Sequence, residues 1–215
     1  MKVYFISGLA ADQRVFKNIR LPIGYDMIHL DWIQPLKNES LKEYAIRLGS
    51  TIDQQESFVL VGLSMGGMIA TEVALQYKPV ITILISSIPV STGLPPYFKL
   101  GGKLRIHKIL PTSFLKSSAI LKHLFSTETS EDKRILCQML READPVFMRW
   151  AMEAIVNWEN NQLPLPYIHI HGTADKILPT AYTKPTHFIK GAGHSLVLNR
   201  APEVNEILKE YLKKQ

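Results

Sequence analysis

Val80 to Ser87 is an almost unbroken run of Ile, Leu and Val. A strand of that composition is stable only with both faces covered, as in a parallel sheet packed between helices. Earlier segments repeat the theme. Lys2 to Ser7 ends at Gly8, Tyr25 to Trp32 follows, and Ser57 to Leu63 is a third β-branched and apolar run. Before the third run, Ser40-Leu41-Lys42-Glu43 has capping-box spacing and opens an amphipathic helix to about Thr51. Met65 to Tyr77 carries helix formers and stops before Pro79. Two more strands are read at Tyr167 to His171 and at about Thr186 to Lys190, and a closing helix at about Pro202 to Lys213. This alternation predicts an α/β fold: a mostly parallel sheet of about six strands with helices on both faces.

Residues 89–163 break the rhythm. They hold no convincing strand, and short amphipathic stretches are cut by Pro95, Pro96, Gly101, Gly102, Pro111 and Pro145, so the segment reads as a helical insertion. At 215 residues the chain is long enough for one sizeable core, and a single domain over 1–215 is expected. No apolar stretch reaches membrane-spanning length, and MKVYFISGLA reads as a strand rather than a leader, so a cytoplasmic protein is expected. The lone Cys137 excludes an internal disulfide and a thiolate metal cluster. The seven histidines lack the short helical spacing of zinc sites, and no metal is expected.

Gly62-Leu63-Ser64-Met65-Gly66-Gly67 follows a buried strand and opens a helix. In that context glycines permit a tight turn that pushes the serine oxygen above the sheet. The helix N-terminus then points at that oxygen, and the Met65 backbone N–H is available to a developing oxyanion. A serine hydroxyl needs a base, and the base needs a third group to fix its tautomer. Asp175 lies in Gly172-Thr173-Ala174-Asp175-Lys176-Ile177-Leu178-Pro179, just past a strand end, and His194 follows Gly191-Ala192-Gly193 after the last strand. Loops at the carboxyl ends of parallel strands converge on one edge, so Ser64, Asp175 and His194 are the candidate catalytic residues. Asp132 and Asp144 are weaker rivals for the acid because they fall in the insertion. His171 reads as stabilising its own turn. His29, His107, His123, His169 and His187 read as surface or packing residues, and Cys137 as a small buried apolar group.

Taken together, GLSMGG, HGTADKILP and GAGHSLVLNRAPEVNEIL resemble the α/β-hydrolase superfamily in order and context. The resemblance implies a serine hydrolase that forms an acyl-enzyme on Ser64 and cleaves a carboxylic ester or thioester without a cofactor. It also makes the loop Ile6-Ser7-Gly8-Leu9 the source of a second oxyanion donor, the Leu9 N–H. Ser7 stands where the family usually has histidine. Two antiparallel strands usual at the family's start are missing, and Lys176 to Pro185 leaves little room for a helix. A reduced version of the fold is expected, with the insertion as a cap.

The formal charge is +6, yet residues 73–127 hold seven basic and no acidic residues, leaving 18 basic against 19 acidic elsewhere. A basic cap would suit an anionic small-molecule acyl substrate or contact with a membrane surface, against the plain reading of a solvated lysine face. No nucleic-acid module accompanies the charge. Two other functions stay open: a lyase-type reaction on the same triad, and a non-catalytic binding protein on a hydrolase scaffold.

Overall fold

The computed structural model describes residues 1–103 and 129–214. Six strands form one sheet: β1 (Lys2–Ile6), β2 (Asp26–Leu30), β3 (Phe58–Leu63), β4 (Ile81–Ile85), β5 (Tyr167–Gly172) and β6 (His187–Ile189). Their order is β2-β1-β3-β4-β5-β6, and every pairing is parallel. The first of these strands along the chain, β1, carries the Ser7–Leu9 loop. Each strand boundary falls within two residues of the expected one, and β3 and β4, buried along their whole length, show as continuous apolar runs.

Among the described residues the helices are α1 (Leu41–Gly49), α2 (Met65–Tyr77), α3 (Pro96–Lys103), α4 (Ser130–Glu142), α5 (Pro145–Val156), α6 (Leu196–Asn199) and α7 (Ala201–Leu212). None is long and apolar enough to cross a membrane. The capping box at α1 forms as read. Ser40 accepts from the Glu43 N–H and the Glu43 carboxylate accepts from the Ser40 N–H, an arrangement that stabilises a helix start by about 1 kcal/mol. Between Asp175 and β6 there is room for only a 3₁₀ turn, Thr180–Tyr182.

Alternating strand residues divide the core into two. Val3, Phe5, Val59, Val61, Ile83 and Ile170 face α7, α6 and part of α4 on one side. Tyr4, Ile6, Leu60 and Leu84 face α1, α2 and α5 on the other. The period of two in β1 is thus a sorting of side chains between two layers. The insertion contributes α3, α4 and α5 and, among its described residues, no strand. Trp158, just past α5, donates from its indole N–H to the buried Glu72 carboxylate of α2 at 2.7 Å and so moors the end of the insertion to the sheet layer. Of the basic window, Arg105, Lys108, Lys116 and Lys122 lie outside the described residues.

The chain runs outward from β1 to β2 and returns over β1 to β3, so the loops leaving β1 and β3 diverge. The crevice between such loops is where open α/β sheets place ligands.

Candidate active site

Ser64 joins β3 to α2 with φ 54° and ψ −120°, a conformation that costs a non-glycine residue about 1–3 kcal/mol. The neighbourhood enforces it. The Ser64 N–H donates to the Ile85 carbonyl at 2.9 Å, and the Ser64 carbonyl accepts from the Gly67 N–H at 2.9 Å and the Ser87 hydroxyl at 2.6 Å. Glycine is required at position 66 because a Cβ there would overlap the carbonyl oxygens of Ile6 and Ser7. That close approach sets the serine turn against the loop that follows β1, where a Cβ placed on Gly8 would lie 3.3 Å from that of Ser64.

The loop after β1 is braced from within. The Ala11 N–H donates to the Gly8 carbonyl at 3.0 Å, with Ala10 at φ 60°. The Ala11 carbonyl accepts both the Ser7 hydroxyl at 2.8 Å and the Trp32 indole N–H at 2.9 Å. Ser7 thus supplies the loop's hydrogen bonding at the position where a histidine is usual in the resembled family. Leu9 follows in this loop and Met65 opens α2, where the first amides have no carbonyl partner within the helix. Both residues line the cavity in front of Ser64.

Three side chains distant in sequence form one hydrogen-bonded chain. His194 Nε2 lies 2.9 Å from Ser64 Oγ, and His194 Nδ1 lies 2.7 Å from Asp175 Oδ2. Asp175 Oδ1 accepts the N–H groups of Ile177 at 2.8 Å and Leu178 at 2.9 Å. Burial works to raise the Asp175 pKa, but the facing His194, the hydrogen bonds from His171 and His194, and the Leu178 N–H outweigh it and hold the carboxyl well below its ordinary range. A carboxylate so held accepts from Nδ1–H, which leaves Nε2 as the nitrogen that faces the Ser64 hydroxyl.

The rival acids serve elsewhere. Asp132 accepts from Thr129 at the start of α4 and lies 3.3 Å from Lys17, and Asp144 caps α5 by accepting the Val146 N–H at 2.9 Å. His29 packs against Phe5 and Phe16, and His187 against Tyr211. His107 and His123 lie outside the described residues. The sequence reading gave no role in the site to Ser87, Trp32, His169 or His171. For the histidines a signal was present: residues two apart on a strand share a face, and both of these rings are fully buried.

Ser64 and His194 open onto a cavity of about 260 Å³. Its walls are almost wholly apolar, from Met68 of α2, Leu94 and Phe98 of the early insertion, Leu140 of α4, and Met148 and Met152 of α5. No charged side chain lines it among the described residues. An apolar cleft with a few convergent polar groups is the usual form of a small-molecule site.

Comparison with known proteins agrees with this architecture. A thermophilic esterase from Thermogutta terrifontis is similar over 100% of this chain and 90% of its own, at 19% identity and a TM-score of 0.79. MenH from S. aureus is similar over 100% of this chain and 94% of its own, at 17% identity and a TM-score of 0.78. An esterase from Exiguobacterium antarcticum is similar over 99% and 92%, at 19% identity and a TM-score of 0.73. At such identities the likeness speaks to the fold. No curated protein sequence matches the chain. The model of the alpha/beta hydrolase family matches residues 10–207, a span that takes in the serine turn, the Asp175 loop and His194. The chain therefore belongs to the alpha/beta hydrolase family.

Proposed function

We propose that the protein is a serine hydrolase that cleaves carboxylic esters or thioesters of uncharged, apolar acyl groups, with residues 89–163 as the cap of a single domain. The observation that carries this reading is the Ser64–His194–Asp175 chain, with spacings of 2.9 and 2.7 Å, opening into an apolar cavity. In the proposed cycle Ser64 Oγ attacks the substrate carbonyl carbon and its proton passes to His194 Nε2. The resulting oxyanion takes hydrogen bonds from the N–H groups of Leu9 and Met65. Collapse of the tetrahedral adduct breaks the bond to the leaving alcohol or thiol, which departs with the proton from His194. Water then gives a proton to His194 and attacks the acyl group on Ser64. The second collapse frees the acid and returns the proton to Ser64. No cofactor takes part in these steps.

Among the described residues the lining is uncharged, which weighs against an anionic acyl group, since a carboxylate buried there without a partner would cost several kcal/mol. Labelling with a fluorophosphonate tests the reading, alongside turnover of esters and thioesters of graded acyl length. Wild-type protein is expected to label and turn over, and Ser64→Ala to do neither, with activity on the order of 10⁴-fold lower or less. Wild-type protein that stays unlabelled and inert on every ester and thioester would overturn the serine mechanism. Labelling of Ser64 without turnover would favour a non-hydrolytic reaction on the same residues.

A further inference from the structure

The acid of the site is itself held from behind. His171 Nε2 lies 2.7 Å from the Leu178 carbonyl oxygen and 3.3 Å from Asp175 Oδ2. Neither oxygen has a proton to offer, so the proton is on Nε2, which donates to both. The other ring nitrogen, Nδ1, faces His169 Nε2 at 3.0 Å, and this pair of nitrogens shares one proton. Burial and the neighbouring His171 push the His169 pKa down to about 3 despite an opposing influence of the Ser87 carbonyl, so His169 is neutral and carries a single proton. His169 Nδ1 is buried without a hydrogen-bond partner. A bare lone pair is tolerated there more readily than an orphaned N–H. The His169 proton is therefore on Nε2, donated to His171 Nδ1, and this fixes the His171 tautomer.

We propose that His171 is a positioning residue for Asp175, its Nε2–H aimed at Oδ2 and locked in that tautomer by His169. The proposal rests on the serine-hydrolase reading of Ser64, His194 and Asp175. By drawing charge from Oδ2, His171 moderates the pull of the carboxylate on a protonated His194 and fixes the oxygen that orients that ring. Neither His171 nor His169 lines the cavity among its described walls. Their effect is on the chemical step and not on substrate binding. Other titratable groups face the cluster among the described residues. His194 comes from the loop after β6, and Tyr97 of α3 donates to the Ile177 carbonyl at 2.9 Å and stands edge-on to Tyr182. The Lys176 side chain belongs to a solvent-exposed residue.

The test combines nitrogen NMR of the histidine rings in the whole protein with pH–rate profiles of wild type, His171→Phe and His171→Gln on a neutral ester. Wild-type His171 should be protonated on Nε2 alone. His171→Phe should lower kcat about tenfold with KM changed less than about twofold. It should also move the acid limb of kcat/KM upward by about one pH unit, because an uncompensated Asp175 favours protonated His194. His171→Gln, which can donate from a comparable position, should restore most of both. A His171 proton on Nδ1 would overturn the proposal. So would a folded His171→Phe protein with the wild-type profile, or a folded Gln variant no better than Phe. If the Phe variant fails to fold, the Gln profile and the wild-type tautomer decide. Failure of the serine-hydrolase reading is seen separately, as absent labelling and turnover in wild type, and the ring tautomer then decides the positioning claim by itself.

Discussion

The hydroxyl of Ser87, just past β4, donates to the carbonyl of Ser64 at 2.6 Å. It ties the strained serine turn to the neighbouring strand, which already accepts the Ser64 N–H at Ile85. In Ser87→Ala the Ser64 carbonyl keeps the Gly67 N–H, so the loss is one hydrogen bond. Stability should fall by about 1 kcal/mol and Tm by about 3 °C. Thermal unfolding measures the loss, and fluorophosphonate labelling of Ser64 should slow in parallel.

The Ala11 carbonyl has two donors, the Ser7 hydroxyl and the Trp32 indole. Ser7→Ala should lower kcat by about threefold and leave KM nearly unchanged, since the loop that presents the Leu9 N–H loosens without losing its last brace. Trp32→Phe should behave similarly. The double variant should lose more than the two single losses combined, because only then do both donors vanish. Steady-state kinetics on one ester across all four proteins forms the cycle, and simple additivity would count against a shared brace.

Asp175 supplies a pH dependence of stability whose sign is fixed by its lowered pKa. A carboxyl held below its unfolded value, 3.8, stabilises the fold fully above that value and ceases to do so as pH falls through the folded pKa. The stability difference between wild type and Asp175→Asn should therefore be constant above about pH 5 and shrink below about pH 4. Urea unfolding across that range measures it.

The apolar cavity predicts acyl selectivity. Each methylene added to the acyl chain should raise kcat/KM about fourfold until the space is filled, as its transfer from water is worth about 0.8 kcal/mol. Met148 and Met152 line the wall, so replacing either with Trp should move the optimum to shorter chains. Turnover of p-nitrophenyl esters from acetate to decanoate gives both profiles, and an optimum unmoved in both variants would place the acyl group elsewhere.

Much of the fold was legible because its signals are local. The run at β4 declares burial on both faces, Ser40 and Glu43 declare a helix start, and the glycines around Ser64 declare a turn that no Cβ could share with the β1 loop. His169 and His171 were harder to read. A strand with His at alternate positions looks like ordinary packing until the loops on either side supply Leu178 and Asp175 as partners.

Sequence alone determined the order of strands and helices along the chain, since burial pattern and capping act over a few residues. It also supplied a serine, an acid and a histidine at three strand ends. Tertiary structure decided that Ser64 and His194, 130 residues apart, meet at 2.9 Å. It likewise decided that the insertion walls their cavity with apolar side chains and that two buried histidines stand behind Asp175. Those relationships follow from the crossover that seats β1 between β2 and β3 and from helices folding back over the sheet. Contacts of that range depend on which surfaces bury each other, and no local pattern records that.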